Sequence, residues 1–231
     1  MLPLRALLLT ALAYGCPGQE AREHPKRPAA PPVHAPHPAL PPAAALAFVR
    51  DGNARCVAAR ATGAAPAPLP PRPAGAGRYV VAVVTCADAA IDVPALLGLR
   101  SEDVLLISNA GATADGDAIE LLERAVARER LSLCIVLTHA DCASLSPAPA
   151  GDERGSARGA AAREFAARRR LPLDKAQALL QRELLLGAST LLADATRSGN
   201  LNVVAASADA ATGALAWHLG RSESLPMAPV R

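Results

Sequence analysis

The sequence predicts an α/β fold: a mainly parallel central β-sheet with one antiparallel edge strand, flanked by helices. Three observations carry this expectation. Segments 79–85, 104–108, 133–138 and 202–207 are short, nearly continuous apolar runs, as strands covered on both faces must be. Segments with helical spacing alternate with them. Near the end, 207–217 reads as a hairpin turning at Thr212-Gly213, which supplies the antiparallel edge.

Taken in order, the chain opens with an address. Arg5 precedes the apolar run from Ala6 to Ala13, which is too short to span a bilayer and suits the core of a signal peptide over 1–16. Leu12-Ala13-Tyr14-Gly15-Cys16 resembles a bacterial lipoprotein cleavage box, in which Cys16 carries lipid, although Tyr14 is bulky for it. An ordinary cleavable signal with an incidental cysteine fits equally. Either predicts an exported bacterial protein, periplasmic or on the outer surface, touching a membrane only through a lipid on Cys16. Residues 17–42 are rich in Pro, Ala and His (His24, His34, His37); such a stretch buries too little surface to fold and reads as a linker.

The folded domain is expected over 43–220, with a flexible tail at 221–231. Its first helix runs about 43–60, and a Pro/Ala/Gly patch at 64–77 separates it from the first strand. A short helix starts near Pro94, which suits a first turn. The helix at about 115–130 places Ile119, Leu122, Ala125 and Val126 on one face. Further helices are predicted at 156–170 and 173–198.

A chain of 231 residues that is 51% hydrophobic can build a sizeable core, and with 2% aromatics that core must be Ala, Leu and Val. The net charge of +3, from 24 basic and 21 acidic residues, is too balanced for a nucleic-acid binder. The densest basic stretch, 154–170, lacks the aromatic platforms of single-strand recognition and reads as a solvated helix face.

The chemistry concentrates after two strands. Cys86-Ala87-Asp88 follows the first, and His139-Ala140-Asp141-Cys142 follows the third. If these strands are parallel neighbours, two thiolates, an imidazole and a carboxylate meet at their carboxyl ends, where open α/β sheets place their sites. Cys86, His139 and Cys142 are a ligand set for one Zn²⁺. Asp88 is either a functional carboxylate beside the metal or a cap for the short helix that follows. Asp141 reads as a turn residue, and Cys134 as a small buried hydrophobe.

On these motifs the chain resembles the β-class carbonic anhydrases from about Ala43 to Trp217. Gly52-Asn53-Ala54-Arg55 matches that family's first-helix signature, with Cys56 in the place of an aromatic residue. Cys86-Ala-Asp88 and His139-x-x-Cys142 match its zinc motifs, Asn109-Ala110-Gly111 a loop, Leu122 to Val126 a helix, and Ala210 to Gly213 the closing hairpin. The resemblance implies zinc, reversible hydration of CO₂ to bicarbonate, and a homodimer or larger assembly. It gives Asp88 the catalytic role of orienting and proton handling, and places Asn109, Gly111 and Ala143 around the substrate pocket.

The departures predict altered chemistry. Ala90 stands where the family has an arginine that pairs with the aspartate. Without it Asp88 is expected to be a free anion, able to join the metal as a fourth ligand. Arg100 is a candidate substitute partner, although a solvated position suits it better. Thr138 and Ala143 replace glycines beside the site, Ser108 replaces a basic residue, and Ala143 is expected to narrow the CO₂ pocket. Two functions follow: CO₂ hydration, or a zinc-binding relative with little or no turnover and a structural or binding role.

Overall fold

Burial on both faces turns the apolar runs into one sheet. The computed structural model describes residues 40–65, 68–147, 151 and 153–218. Its strands are β1 (Val81–Cys86), β2 (Val104–Asn109), β3 (Leu133–His139), β4 (Asn202–Ala208) and β5 (Leu215–His218). They lie in the order β2-β1-β3-β4-β5, the first four parallel and β5 antiparallel at the edge. The helices are α1 (Pro42–Thr62), α2 (Val93–Leu96), α3 (Gly116–Glu129), α4 (Glu153–Arg169), α5 (Leu173–Ala188) and α6 (Thr190–Arg197).

Successive strand residues face opposite sides, so each run feeds two cores. Val81, Val83, Ile135, Leu137 and Val204 pack with Leu46 and Val49 of α1 and Leu96 of α2. Ala82, Val84, Cys134 and Val203 pack on the other face with Leu122 and Val126 of α3, Leu185 of α5 and Leu192 of α6. Each fully buried Leu or Val contributes about 1.5–3 kcal/mol relative to exposure.

The Gly52-Asn53 pair earns its place by packing. A Cβ at Gly52 would collide with the Leu97 carbonyl, so only glycine lets α1 approach α2 this closely. Asn53 is buried and donates from Nδ2 to Leu96 O at 3.0 Å and Gly213 O at 2.8 Å, while its Oδ1 accepts from Leu215 N at 3.1 Å. One side chain thus ties α1 to α2 and to the hairpin.

Two expectations need correction. The single helix predicted over 173–198 is two helices, because Ser189 adopts an extended conformation and its hydroxyl accepts from Leu192 N, capping α6. Ser189 also donates to Glu123 Oε1 at 2.6 Å. The helix after β1 is capped by Asp92, whose Oδ1 accepts from Ala95 N, and not by Asp88. In addition, Leu40 is buried and α1 begins at Pro42, slightly before the expected domain start. Cys16, the signal region and the C-terminal tail lie outside the described residues, among which no helix is long and apolar enough to cross a membrane.

Candidate metal centre

Strand topology delivers the site. Cys86 is the last residue of β1 and His139 the last of the neighbouring β3, so both emerge at the same sheet edge. The chain turns at once after β1, with Ala89 N bonding back to Cys86 O, and this folds Asp88 over the strand end. After β3, Asp141 takes a left-handed conformation (φ 53°) and Cys142 caps a 3₁₀ turn over Ala143–Leu145. That reversal brings Cys142 Sγ to 3.5 Å from Cys86 Sγ.

Asp88 Oδ1 lies 2.6 Å from Cys86 Sγ and 2.8 Å from His139 Nε2. The candidate ligand atoms of Cys86, Asp88, His139 and Cys142 all lie within 4.8 Å of one another. Asp141 is outside this group. His139 Nδ1 donates to Ala140 O at 2.8 Å, which fixes the tautomer and leaves Nε2 as the nitrogen facing the cluster.

The four side chains shift one another's protonation. Burial and the adjacent Cys86 hold the Cys142 thiol up at about 12. For Cys86, burial and Asp88 push upward, but hydrogen bonds with His139 and others outweigh them and its pKa is lowered. Burial also opposes ionisation of Asp88, yet bonds with Cys86, His139 and the Ser144 amide bring its pKa to about 2. Burial disfavours the charged form of His139, but its contacts with Cys86 and Asp88 raise it overall. The pair therefore shares a proton on Cys142, which a divalent ion between the sulfurs would displace to hold both as thiolates. Their 3.5 Å separation is near the edge, about 3.8 Å, of a tetrahedron with Zn–S bonds of about 2.3 Å. The donor set fits zinc.

Asp88 is not the unheld anion expected from Ala90. Its Oδ2 accepts from Ser144 N at 3.1 Å and Ser144 Oγ at 3.4 Å. Arg100 pairs instead with Asp103 at 3.6 Å, and Ala90 sits in the left-handed region (φ 47°). Sequence reading missed Ser144, whose only signal was its position two residues after Cys142.

Gly111 donates its N–H to Cys86 Sγ at 3.1 Å. Asn109 closes its own loop: Nδ2 donates to Thr113 O and Asp115 Oδ2, both at 2.8 Å, and Oδ1 accepts from Thr113 N. Ala143 is exposed in the turn after Cys142. Two buried glutamines of α5 also reach this loop, and sequence reading missed them: Gln177 donates to Gly111 O, and Gln181 accepts from Ala114 N. Their polarity on an otherwise apolar helix face was the available signal.

Ala112, Leu145 and Ala162 pack around the two cysteines, with Ala89 and Leu173 against them. Beside the cluster is a cavity of about 410 Å³ whose lining includes His139, Cys142, Leu145, Arg163, Leu173 and Asp174. Asn109, Gly111 and Ala143 do not line it. A larger cleft of about 700 Å³ between α1 and residues 92–102 contains none of the four clustered residues. Cys134 is buried in β3, and burial pushes its thiol up to about 12.

By sequence, the chain matches no protein-family profile and no curated protein. By structure, it is similar to the β-carbonic anhydrase CafD of the filamentous fungus Aspergillus fumigatus, at 20% identity and a TM-score of 0.54, covering 66% of this chain and 94% of that one. It is similar also to tetrameric β-carbonic anhydrases of the filamentous ascomycete Sordaria macrospora, at 16% identity and a TM-score of 0.52, covering 62% of this chain and 82% of theirs. The fold is that of the β-class carbonic anhydrases.

Proposed function

We propose that this chain is a β-type carbonic anhydrase that reversibly hydrates CO₂ to bicarbonate at a zinc ion held by Cys86, His139 and Cys142. The observation that carries the reading is the convergence of these three side chains with Asp88 at the carboxyl edge of β1 and β3. When bound, zinc supplies the Lewis acidity that makes water nucleophilic near neutral pH.

The chain's own residues supply the rest. Asp88, whose Oδ1 lies beside Cys86 Sγ and His139 Nε2, is placed to accept a hydrogen bond from water and so orient it. Ser144 grips Oδ2 and aims Oδ1 at the cluster. Ala89, Ala112, Leu145 and Leu173 form an apolar surround that suits CO₂. The proton released with bicarbonate leaves towards solvent through the cavity beside His139. Oδ1 is also placed to serve as a fourth ligand, so hydration at neutral pH is expected to be slow until Asp88 turns aside. No separate observation favours a zinc protein without turnover.

The tetrameric state of the Sordaria relatives supports a homodimer or larger assembly here. Export, with or without lipid on Cys16, rests on the apolar run at 6–13. Stopped-flow CO₂ hydration by zinc-loaded protein tests the reading. Zinc-dependent turnover that rises with pH is the expected result; no rate above buffer at any pH, with one zinc bound per chain, would sink it.

A further inference from the structure

Gln177 is a wholly buried amide on α5. Its Nε2 donates to Gly111 O at 2.7 Å, but its Oε1 has no partner among the described residues. An unmatched buried carbonyl costs stability, and an apolar side chain here would only move that cost to the buried Gly111 carbonyl, so what Gln177 does is hold this loop. The bond to Gly111 is the observation that carries the inference, because of what Gly111 itself touches.

The peptide it holds leads to the metal centre. Gly111 gives its N–H to Cys86 Sγ at 3.1 Å while giving its carbonyl to Gln177. The position favours glycine: Gly111 has φ 75°, and a Cβ there would stand 2.7 Å from Arg158 Cδ. One helical turn along α5, Gln181 accepts from Ala114 N at 2.9 Å. The helix grips the loop twice, but only the first grip falls on the residue that touches the thiol.

We propose that Gln177 is a positioning residue for the metal centre: by holding the Gly111 carbonyl, it aims the Gly111 N–H at Cys86 and sets how strongly that sulfur donates to the metal. The inference rests on Cys86, His139 and Cys142 being metal ligands and assigns a control over one of them. A hydrogen bond to a ligating sulfur draws electron density away from the metal, and such outer partners typically change affinity by about 10–100-fold.

The test uses cobalt(II)-loaded protein, whose thiolate-to-metal charge-transfer band reports sulfur donation directly. Gln177→Met is expected to move that band to longer wavelength, as the sulfur recovers the electron density that the hydrogen bond withdrew. Gln181→Met, which loosens the same loop at Ala114, is expected to leave the band in place. In cadmium-113-loaded wild type, the Gly111 amide proton is expected to couple to the metal through sulfur. Absence of a charge-transfer band in wild type overturns the metal reading and this proposal with it. With that band present, an unmoved band in Gln177→Met, an equal shift in Gln181→Met, or no coupling to Gly111 overturns this proposal alone. If Gln177→Met does not fold, Gln177→Leu carries the same comparison.

Discussion

Ser144 donates its backbone N–H to Asp88 Oδ2 at 3.1 Å, with its hydroxyl at 3.4 Å from the same oxygen. A turn following the His139-x-x-Cys142 segment thereby holds the carboxylate of the Cys86-x-Asp88 segment. Ser144→Ala removes the hydroxyl and leaves the amide, so a modest effect is expected. One hydrogen bond to a charged group contributes about 1.5–3 kcal/mol at good geometry; at this length about 1 kcal/mol is expected, roughly fivefold in kcat/KM. Wild-type kcat/KM in Ser144→Ala, with Ser144→Thr also unchanged, would remove the hydroxyl from the account.

Because Ser144 already holds Oδ2, restoring the arginine should change little. Ala90 is exposed, and exposed ion pairs contribute about 0–1 kcal/mol. Ala90→Arg is therefore expected to keep CO₂ hydration within about fivefold of wild type. A rise of a hundredfold would mean that Asp88 is badly held in the native protein.

Zinc should also stabilise the fold, since its ligands come from two segments far apart in the chain. At free zinc 100 times the dissociation constant, binding contributes about 2.7 kcal/mol. Removal by a chelator is then expected to lower the melting temperature by roughly 5–10 °C, and Cys142→Ser to abolish that difference. An identical melting curve with and without chelator speaks against a metal at this site.

The thiols should separate by reactivity. In metal-free native protein Cys86, whose pKa is lowered, is expected to alkylate before Cys142, held at about 12. Cys134, buried and also at about 12, should react only on unfolding. Mass mapping after brief iodoacetamide treatment reads the order, and early modification of Cys134 would contradict its burial.

Asn53→Ala should destabilise without touching the metal. It strips partners from Leu96 O, Gly213 O and Leu215 N, and unmatched buried groups cost about 1–3 kcal/mol each. A loss of about 3 kcal/mol in urea unfolding is expected, with zinc content retained. A loss below about 0.5 kcal/mol would show that water replaces the side chain.

The sequence by itself determined the sheet and the four donors that meet at its edge. Doubly covered strands must be apolar throughout, so the runs ending at Cys86 and His139 announced both their burial and the edge at which they end. The Cys-x-Asp and His-x-x-Cys spacings then placed four donors within reach of one point. Only the tertiary structure decided what holds those donors. Ser144 reaches Asp88 across 56 residues, and Gln177 reaches Gly111 across 66. Such bonds leave no periodic trace in the chain, because they depend on how a turn and a helix settle against a loop. The break at Ser189 was hidden for the same reason: a serine within an apolar helical pattern becomes a cap only when the packing of α3 offers it Glu123.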